Sequence, residues 1–313
     1  MDLKKILLPA GILVLLAGYA CAQKSAGPKN KMAATTAVSG KTAGTENTLL
    51  WQVSGKGMQQ PSYIFGTMHV LCSEDIKLGD SLKEIIGRVD KIYFEVDMDD
   101  MMEMMSVMQY IRMNGNQKLS DLLTPEEYAK LKDYFTKNPS PIPLQMMESF
   151  KPLFISTLIE EQRMSCPEKN GMEQMIMNEA KPYKKEIRGL ETMKFQASVF
   201  DSIPYGEQAK ELVKSLDSLD SGGQQMKEMT AVYRSQDLQK INALSSKDDS
   251  GLEKYMNLLR YNRNSDWVTK MGTITAQGSY LFAVGAAHLA GERGVLSLLK
   301  QKGYLVLPIK NNF

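Results

Sequence analysis

Short apolar runs separated by polar turns mark the N-terminal part of the chain as β-rich. Residues 49–53 form one such run, residues 54–57 are a turn of Ser, Gly and Lys, and residues 63–66 form a second run. The spacing of apolar positions over residues 78–89 is typical of a helix, and the β-rich run 91–97 follows. The pattern therefore predicts two strands joined by a turn, then a helix and a third strand.

A similar order recurs near the C-terminus. An apolar run at residues 281–285 precedes a helical pattern at 291–302 and a strand-like run at 304–309. Short strand–helix–strand crossovers imply parallel strands. We therefore predict an α/β (or α+β) fold, in which two pseudo-symmetric halves share a central sheet. The mostly helical, proline-broken stretch between the halves is expected to be a large insertion or lid.

The two histidines of the chain occupy the same frame in these two halves. His69 stands three residues after Gly66, and His288 stands three residues after Gly285, each at the end of an apolar run. Ligands of open α/β sheets bind at the carboxyl ends of strands, so we expect the two imidazoles to share one site. The alternative is that each histidine caps its strand and is satisfied by backbone groups.

Acidic and basic residues near the strand ends complete the candidate site. Glu95 and Asp97 are two apart in a predicted strand and share a face. Two histidine nitrogens and the Glu95 oxygen make a three-ligand set that suits catalytic Zn²⁺, Mn²⁺ or Co²⁺. The same residues also suit metal-free chemistry with a histidine as general base. Arg263 is expected to hold a substrate carboxylate or a developing oxyanion, the alternative being surface charge; Glu191 is a third acid without an assigned role.

The first residues read as a targeting segment. A basic start, an apolar stretch and the small residues around Cys21 predict a signal peptide at residues 1–22. Residues 23–47 lack large apolar side chains and are predicted to be a flexible leader, which leaves 48–313 as one domain. We expect an exported protein, periplasmic, associated with the cell envelope or secreted, without a membrane span. A lipid anchor at Cys21 is the alternative to simple cleavage.

Charge and cysteine content narrow the function classes. With 38 Lys and Arg against 36 Asp and Glu, the chain is close to neutral, which argues against nucleic-acid binding. No phosphate-binding loop, dinucleotide motif or serine-hydrolase elbow is present. Cys72 and Cys166 are either one disulfide or two buried thiols, and sequence alone leaves both open.

Five ordered segments resemble the TraB/GumN family, to which the animal Tiki proteases are similar. The resemblance spans roughly residues 48–313 and implies a fold related to the erythromycin-esterase-like group. It also implies metal-dependent peptidase activity with the two histidines and Glu95 at the site, and Arg263 in contact with the substrate or transition state. The segments are Phe65-Gly66-Thr67-Met68-His69, Phe94-Glu95-Val96-Asp97, Gly189-Leu190-Glu191-Thr192, Tyr261-Asn262-Arg263-Asn264, and residues 284–295.

The leading hypothesis is an exported metal-dependent hydrolase, with a peptide or small-molecule substrate and a metal-activated water held by His69, His288 and Glu95. Two alternatives use the same cleft. One is a protein that binds and sequesters peptides without turnover, and the other is a metal-free esterase-like hydrolase. The sequence leaves the metal, the substrate and the oligomeric state open.

Overall fold

The computed structural model describes residues 47–217, 219–246 and 252–312. The predicted signal peptide, with Cys21, and the predicted leader up to residue 46 lie outside the described residues. Asn47 is exposed, whereas Thr48 and Leu49 are buried.

A six-stranded mixed sheet lies at the centre of the described structure, in the order β6-β4-β7-β2-β1-β8. β1 is antiparallel to both of its neighbours, while the β2–β7, β7–β4 and β4–β6 pairs are parallel. The predicted α/β class with a central sheet is confirmed. The strands are β1 Leu50–Ser54, β2 Ser62–Thr67, β4 Lys91–Phe94, β6 Glu186–Gly189, β7 Tyr280–Gly285 and β8 Leu305–Ile309, with β3 Leu71–Cys72 and β5 Lys169–Asn170 forming a separate pair.

The two strand–helix–strand units interlock in this sheet. The first runs from β2 through a helix to β4, and the second runs from β7 through a helix to β8. Because β7 lies between β2 and β4, the first crossover passes over the strand that opens the second unit. The register pairs Gly66 with Val284 and Thr67 with Gly285, so the two strands that precede the histidines end side by side.

Thirteen α-helices surround the sheet in the described residues. Most belong to the stretch between β4 and β7, as the sequence pattern predicted. They are α1 Asp80–Arg88, α2 Met101–Tyr110, α3 Leu119–Leu122, α4 Pro125–Lys137, α5 Leu144–Met147, α6 Pro152–Arg163, α7 Met172–Ala180, α8 Met193–Asp201, α9 Tyr205–Asp217, α10 Leu219–Arg234, α11 Leu238–Ser246, α12 Asn262–Ile274 and α13 Val295–Gln301. A π-helical turn, Asn257–Tyr261, leads directly into α12.

The apolar residues form a core around the sheet and another among the helices. Every residue of β2 and β7 is buried, which explains their continuous apolar runs, because parallel strands are covered on both faces. Phe65, Phe282 and Trp267 are large members of the sheet core. Phe135 and Phe154 belong to the helical core, which also contains Val96, directly after β4. Within the described residues, no helix combines the length and apolar character needed to cross a membrane.

A small clasp joins the segment after His69 to the segment before α7. β3 pairs antiparallel with β5, matching Leu71 with Asn170 and Cys72 with Lys169. Cys72 and Cys166 form a disulfide with Cα atoms 5.7 Å apart, so of the two alternatives left open by the sequence the structure has the disulfide. The two-stranded pair and this disulfide are called the clasp below. The clasp brings α7 next to the end of β2.

Candidate functional site

Both histidines face one carboxylate at the carboxyl ends of adjacent parallel strands. His69 lies two residues after β2, and His288 lies three residues after β7. The Nε2 atom of His69 is 3.9 Å from Oε1 of Glu95, and the Nε2 atom of His288 is 4.0 Å from the same oxygen. Glu95 directly follows β4. The structure thus brings together three residues that are distant in the sequence.

The glycines of the two repeated frames leave room where the halves meet. A Cβ atom on Gly66 would lie 2.9 Å from a Leu289 methyl group and 3.1 Å from Ala286, on the turn that carries His288. A Cβ atom on Gly285 would lie 3.1 Å from His69 Nε2 and 3.2 Å from Glu95 Oε1. Neither glycine has a positive φ. The frame therefore needs glycine for close approach between the halves.

Each histidine is held at Nδ1 by a different acceptor. Nδ1 of His69 lies 2.6 Å from Oε1 of Glu173, which is in the first turn of α7. Nδ1 of His288 lies 2.6 Å from Oδ1 of Asn264, in α12. The Asn264 amide is oriented by its own Nδ2 group, which donates to the Arg293 carbonyl oxygen at 2.8 Å. Oδ1 is therefore the atom that faces the ring.

These contacts assign the protonated nitrogen in each ring. The amide oxygen of Asn264 can only accept, so Nδ1 carries the proton in His288, and an ionised Glu173 at 2.6 Å favours the same nitrogen in His69. In a neutral ring the lone pair is then on Nε2. Both lone pairs are available on the side where Glu95 lies.

Glu95 is held in place through both of its oxygens. Oε2 accepts from Arg263 at 2.6 Å and from the buried side chain of Gln196, in α8, at 3.1 Å. Oε1 accepts from the backbone N–H of Gly285 at 2.9 Å and faces the two histidines. The glutamate side chain is only 3% exposed. Its charge is therefore balanced inside the protein rather than by water.

Arg263 bridges Glu95 and Glu191. Its Nη2 atom is 2.6 Å from a carboxylate oxygen of each glutamate, and its Nε atom donates to both oxygens of Glu191. Nη1 donates to the Leu259 carbonyl oxygen at 2.9 Å. Trp267 donates from Nε1 to Glu191 at 2.9 Å and lies under the guanidinium, 4.7 Å from its carbon. Here Arg263 holds the two carboxylates, and its contact with a substrate or transition state stays a prediction.

Asp97 and Arg260 make their contacts outside the ion network of Glu95, Arg263 and Glu191. Asp97 does not share the environment of Glu95, because β4 ends at Phe94 before either acid. The Asp97 side chain instead lies 3.7 Å from Arg188. Arg260 is buried in the π-helical turn, where it donates to the carbonyl oxygens of Ala287 and Ser245. π-Helical turns are frequent at functional sites, and this one leads directly into the helix that carries Arg263.

The two imidazoles differ in electrostatic environment. Burial lowers the pKa of His69, but the charge and hydrogen bond of Glu173, together with Glu95, raise it above its ordinary value of 6.5. Burial holds the pKa of His288 well below 6.5, and the positive charges of Arg263 and Arg260 lower it further. Burial raises the pKa of Glu191 despite its contact with Arg263. Although burial opposes ionisation, His69 holds the pKa of Glu173 below its ordinary value.

These shifts predict opposite pH dependences for two histidine variants of the metal-free protein. Since the folded-state pKa of His288 is lowered, wild type is expected to lose stability relative to His288→Gln by up to about 1.4 kcal/mol per pH unit as the pH falls below 6.5. Since the folded-state pKa of His69 is raised, the stabilisation of wild type relative to His69→Gln should be complete below pH 6.5 and should decline as the pH rises through the folded-state value. Urea unfolding between pH 5 and 8 measures both differences; parallel pH dependences would contradict the assignment.

The side chains around Glu95 have the donor chemistry of a divalent-metal site. In the part of the chain that the structure describes, no group of three or more His, Cys, Asp or Glu side chains is arranged to hold a metal ion as it stands. Ligand atoms of a tetrahedral zinc site lie about 3.4 Å apart, roughly half an ångström less than the Glu95–histidine separations. The chemistry nevertheless fits, because two imidazole lone pairs and a carboxylate oxygen face one another. Hydrogen-bonded Nδ1 groups are the usual support of metal-binding histidines.

A pocket of about 490 Å³ adjoins the buried ion network. Glu191 and Trp267 line it, and both also contact Arg263. Its other walls include the half-exposed ring of Phe195 and the charged side chains of Asp97 and Lys270. Trp267 also packs against His288, with ring centroids 4.6 Å apart. Trp267 therefore separates the pocket from His288, and Glu191 and Arg263 separate it from Glu95.

Four supporting residues have no role in the sequence analysis, namely Glu173, Gln196, Asn264 and Trp267. Asn264 belongs to the Tyr261-Asn262-Arg263-Asn264 segment, so the resemblance contained it without giving it a role. Glu173 and Gln196 lie in ordinary amphipathic helices, where a single buried polar residue gives no distinguishing signal. Their placement depends on how those helices pack against the sheet.

The comparisons with known proteins identify a family and a group of relatives. The sequence model of the TraB/PrgY/gumN family matches residues 49–308. Metalloprotease TIKI2 of Danio rerio is 21% identical over 83% of this chain and 60% of its own length. The Metalloprotease TIKI homolog of Amphimedon queenslandica is 23% identical over 84% of this chain and 61% of its own, and Metalloprotease TIKI1 of Homo sapiens is 21% identical over 83% and 61%.

The chain thus spans about 60% of the length of these curated relatives. It is distantly related to proteins named metalloproteases. No solved structure gives a significant match.

Proposed function

The chain belongs to the TraB/PrgY/gumN family, and on this basis and the site geometry we propose that it is a metal-dependent hydrolase acting on peptide bonds. The observation that carries the proposal is that two histidine Nε2 atoms face one carboxylate oxygen of Glu95. The names of the relatives support the same class of reaction. The family match covers 49–308, so the proposed activity belongs to this part of the chain.

In this proposal His69, His288 and Glu95 are the residues that would hold the metal. When bound, a divalent metal would supply a water of lowered pKa and a Lewis acid for a substrate carbonyl. The protein's own groups set the three donor atoms in place. Nδ1 protonation leaves the Nε2 lone pairs free, and the Gly285 N–H fixes the Oε1 atom of Glu95. If the histidines alone held the metal, Oε1 of Glu95 would instead take up the proton of the attacking water.

Arg263 orients the carboxylate of Glu95. The bond from Nη2 occupies Oε2, so the carboxylate presents its other oxygen to the histidines. Glu191 and Trp267 in turn fix the guanidinium. The burial of this network excludes water from the side of Glu95 that faces away from the site, which strengthens the electrostatic interactions there.

The adjoining pocket supports a substrate larger than a single amino acid. Its volume of about 490 Å³ is within the range of small-molecule and peptide side-chain sites. The ring of Phe195 offers an apolar contact. Met101, Met102 and Met105 are exposed on α2, the helix whose Glu103 lines the pocket, and offer an adaptable apolar surface. We propose that the protein acts outside the cytoplasm, in keeping with the signal peptide predicted from its first residues.

One observation favours a metal-free reading as the second candidate. The pairing of Nδ1 of His69 with the Glu173 carboxylate is also the arrangement that orients a histidine as a general base. In that case Nε2 of His69 abstracts a proton from the nucleophilic water, and no chelator affects the rate.

A peptide-cleavage assay with metal removal and restoration tests the proposal. The purified protein is incubated with a mixed peptide library, and products are identified by mass spectrometry. Cleavage that is lost after treatment with a chelator and regained with Zn²⁺, Mn²⁺ or Co²⁺ is the expected result. Cleavage that resists chelation favours the metal-free enzyme, and retention of intact peptides by the protein favours sequestration.

A further inference from the structure

We propose that Glu173 is a positioning residue for His69. Its carboxylate holds the proton on Nδ1 and sets the ring so that Nε2 points to Oε1 of Glu95. A catalytic role for this contact rests on the proposed function, whereas the contact itself does not depend on any reaction. Glu173 thus joins the site from α7, a helix that lies outside both repeated frames.

The contact between the two side chains is short and shielded. Oε1 of Glu173 lies 2.6 Å from Nδ1 of His69, and the two side chains are 8% and 11% exposed. A buried carboxylate is costly unless a charged or hydrogen-bonding partner balances it. The imidazole supplies that partner, so the ring and the carboxylate fix each other. His288 has the corresponding contact with Asn264, a hydrogen bond in which Nδ1 donates to a neutral amide oxygen.

The backbone delivers Glu173 to this place by close packing. The Met172 N–H donates to the Met68 carbonyl oxygen at 3.1 Å, joining the start of α7 to the residue before His69. A Cβ atom on Gly171 would lie 2.5 Å from the His69 carbonyl oxygen, so only glycine permits this approach without displacement. Met68, His69 and the first turn of α7 therefore form one packed unit.

The clasp keeps this unit closed. β3 begins two residues after His69, and β5 ends three residues before Glu173. The strand pair and the Cys72–Cys166 disulfide tie these segments together on the far side of the contact. Such support from several independent contacts is what holds a functional side chain within a narrow range of orientations.

Histidine tautomer spectroscopy tests the contact directly. The sequence has two histidines, so ¹⁵N-histidine labelling of an untagged protein gives two rings to assign with His69→Gln. At a pH where both rings are neutral, wild type is expected to show Nδ1–H and a bare Nε2 in each. Glu173→Ala should shift His69 toward the Nε2–H form while His288 stays unchanged. An Nε2–H tautomer of His69 in wild type, or an unchanged tautomer in Glu173→Ala, would overturn the proposal.

Metal titration tests the consequence for the site. Co²⁺ affinity measured by calorimetry should fall about 10- to 100-fold in Glu173→Ala, as for other groups that support metal-bound histidines. Glu173→Gln retains an acceptor and should recover most of the affinity. The matched control is Glu160→Ala, because Glu160 is also a buried helical glutamate paired with a cation, Arg163, in α6. The control should leave the affinity unchanged even if it lowers the melting temperature.

The two experiments separate this proposal from the proposed function. If wild type neither binds Co²⁺ nor cleaves peptides, the proposed function fails, and the tautomer measurement alone decides the role of Glu173. If wild type binds Co²⁺ and both Glu173 variants bind it as tightly, the positioning role is wrong while the metal site stands. Circular dichroism of each variant establishes that it is folded, and Glu173→Leu, which also removes the acceptor but fills the buried space, replaces Glu173→Ala if the alanine variant is not.

Discussion

A Glu95→Gln variant is expected to lose hydrolytic activity by about 10²- to 10⁴-fold, the usual contribution of a positioned acid or base. The substitution preserves the size of the side chain and its ability to accept from Arg263, but removes the negative charge that faces His69 and His288. Peptide binding should be largely retained, because the adjoining pocket is formed by other residues. Steady-state rates of peptide cleavage and equilibrium binding of an uncleaved peptide measure the two effects separately.

Glu191→Gln provides the matched control for this variant. It makes the same isosteric change in the other buried carboxylate bound to Arg263, which does not face the histidines. We expect Glu191→Gln to retain much more activity than Glu95→Gln. Equal losses in both variants would indicate that the charge balance of the ion network, and not Glu95 itself, is responsible. Unchanged activity in Glu95→Gln would remove Glu95 from the proposed mechanism.

Replacing Arg263 by methionine is expected to destabilise the folded protein by about 3–5 kcal/mol, because it leaves two buried carboxylates without their counter-ion. Glu95 and Glu191 are 3% and 2% exposed, and Arg263 donates to both. Methionine occupies a similar volume, so the loss reflects charge more than packing. Urea unfolding at neutral pH measures the difference in the free energy of unfolding.

Two further variants identify the cause of that loss. Arg234→Met removes an arginine that is 57% exposed and paired with Asp75, and should cost about 0–1 kcal/mol. Adding Glu191→Gln to Arg263→Met should recover part of the lost stability, since one uncompensated carboxylate is removed. A loss in Arg263→Met no larger than that in Arg234→Met would show that the buried ion network contributes little to folding.

The strands, and the position of the two Gly-x-x-His frames at one edge of the sheet, could be predicted from the sequence because both depend on local patterns. The continuous apolar runs of β2 and β7 reflect strands buried on both faces, and their terminal glycines mark a close approach. The parallel pairing of these strands then places the residues that follow them at one edge of the sheet. The extent of β4 was less accessible: an unbroken β-like pattern continues to Asp97, but the strand ends at Phe94.

The residues that support the site could not be predicted from local patterns. Glu173 reaches His69 only because α7 is held against the end of β2 by the clasp, and the bond between Cys72 and Cys166 was one of two alternatives that sequence spacing allowed. Gln196 reaches Glu95 through the packing of α8 in the helical insertion. Arg263 was expected to face a substrate, but its contacts with Glu95 and Glu191 depend on long-range packing of α12 against the strand ends.

Metal content is the measurement that tests the central claim most directly. The mature, untagged protein is purified without chelator, and its metal is quantified by elemental mass spectrometry beside the His69→Ala/His288→Ala double variant. We predict about one equivalent of a divalent metal in wild type and none in the double variant. Wild-type protein without metal, even after incubation with Zn²⁺, Mn²⁺ or Co²⁺, or equal metal in both proteins, would contradict the account.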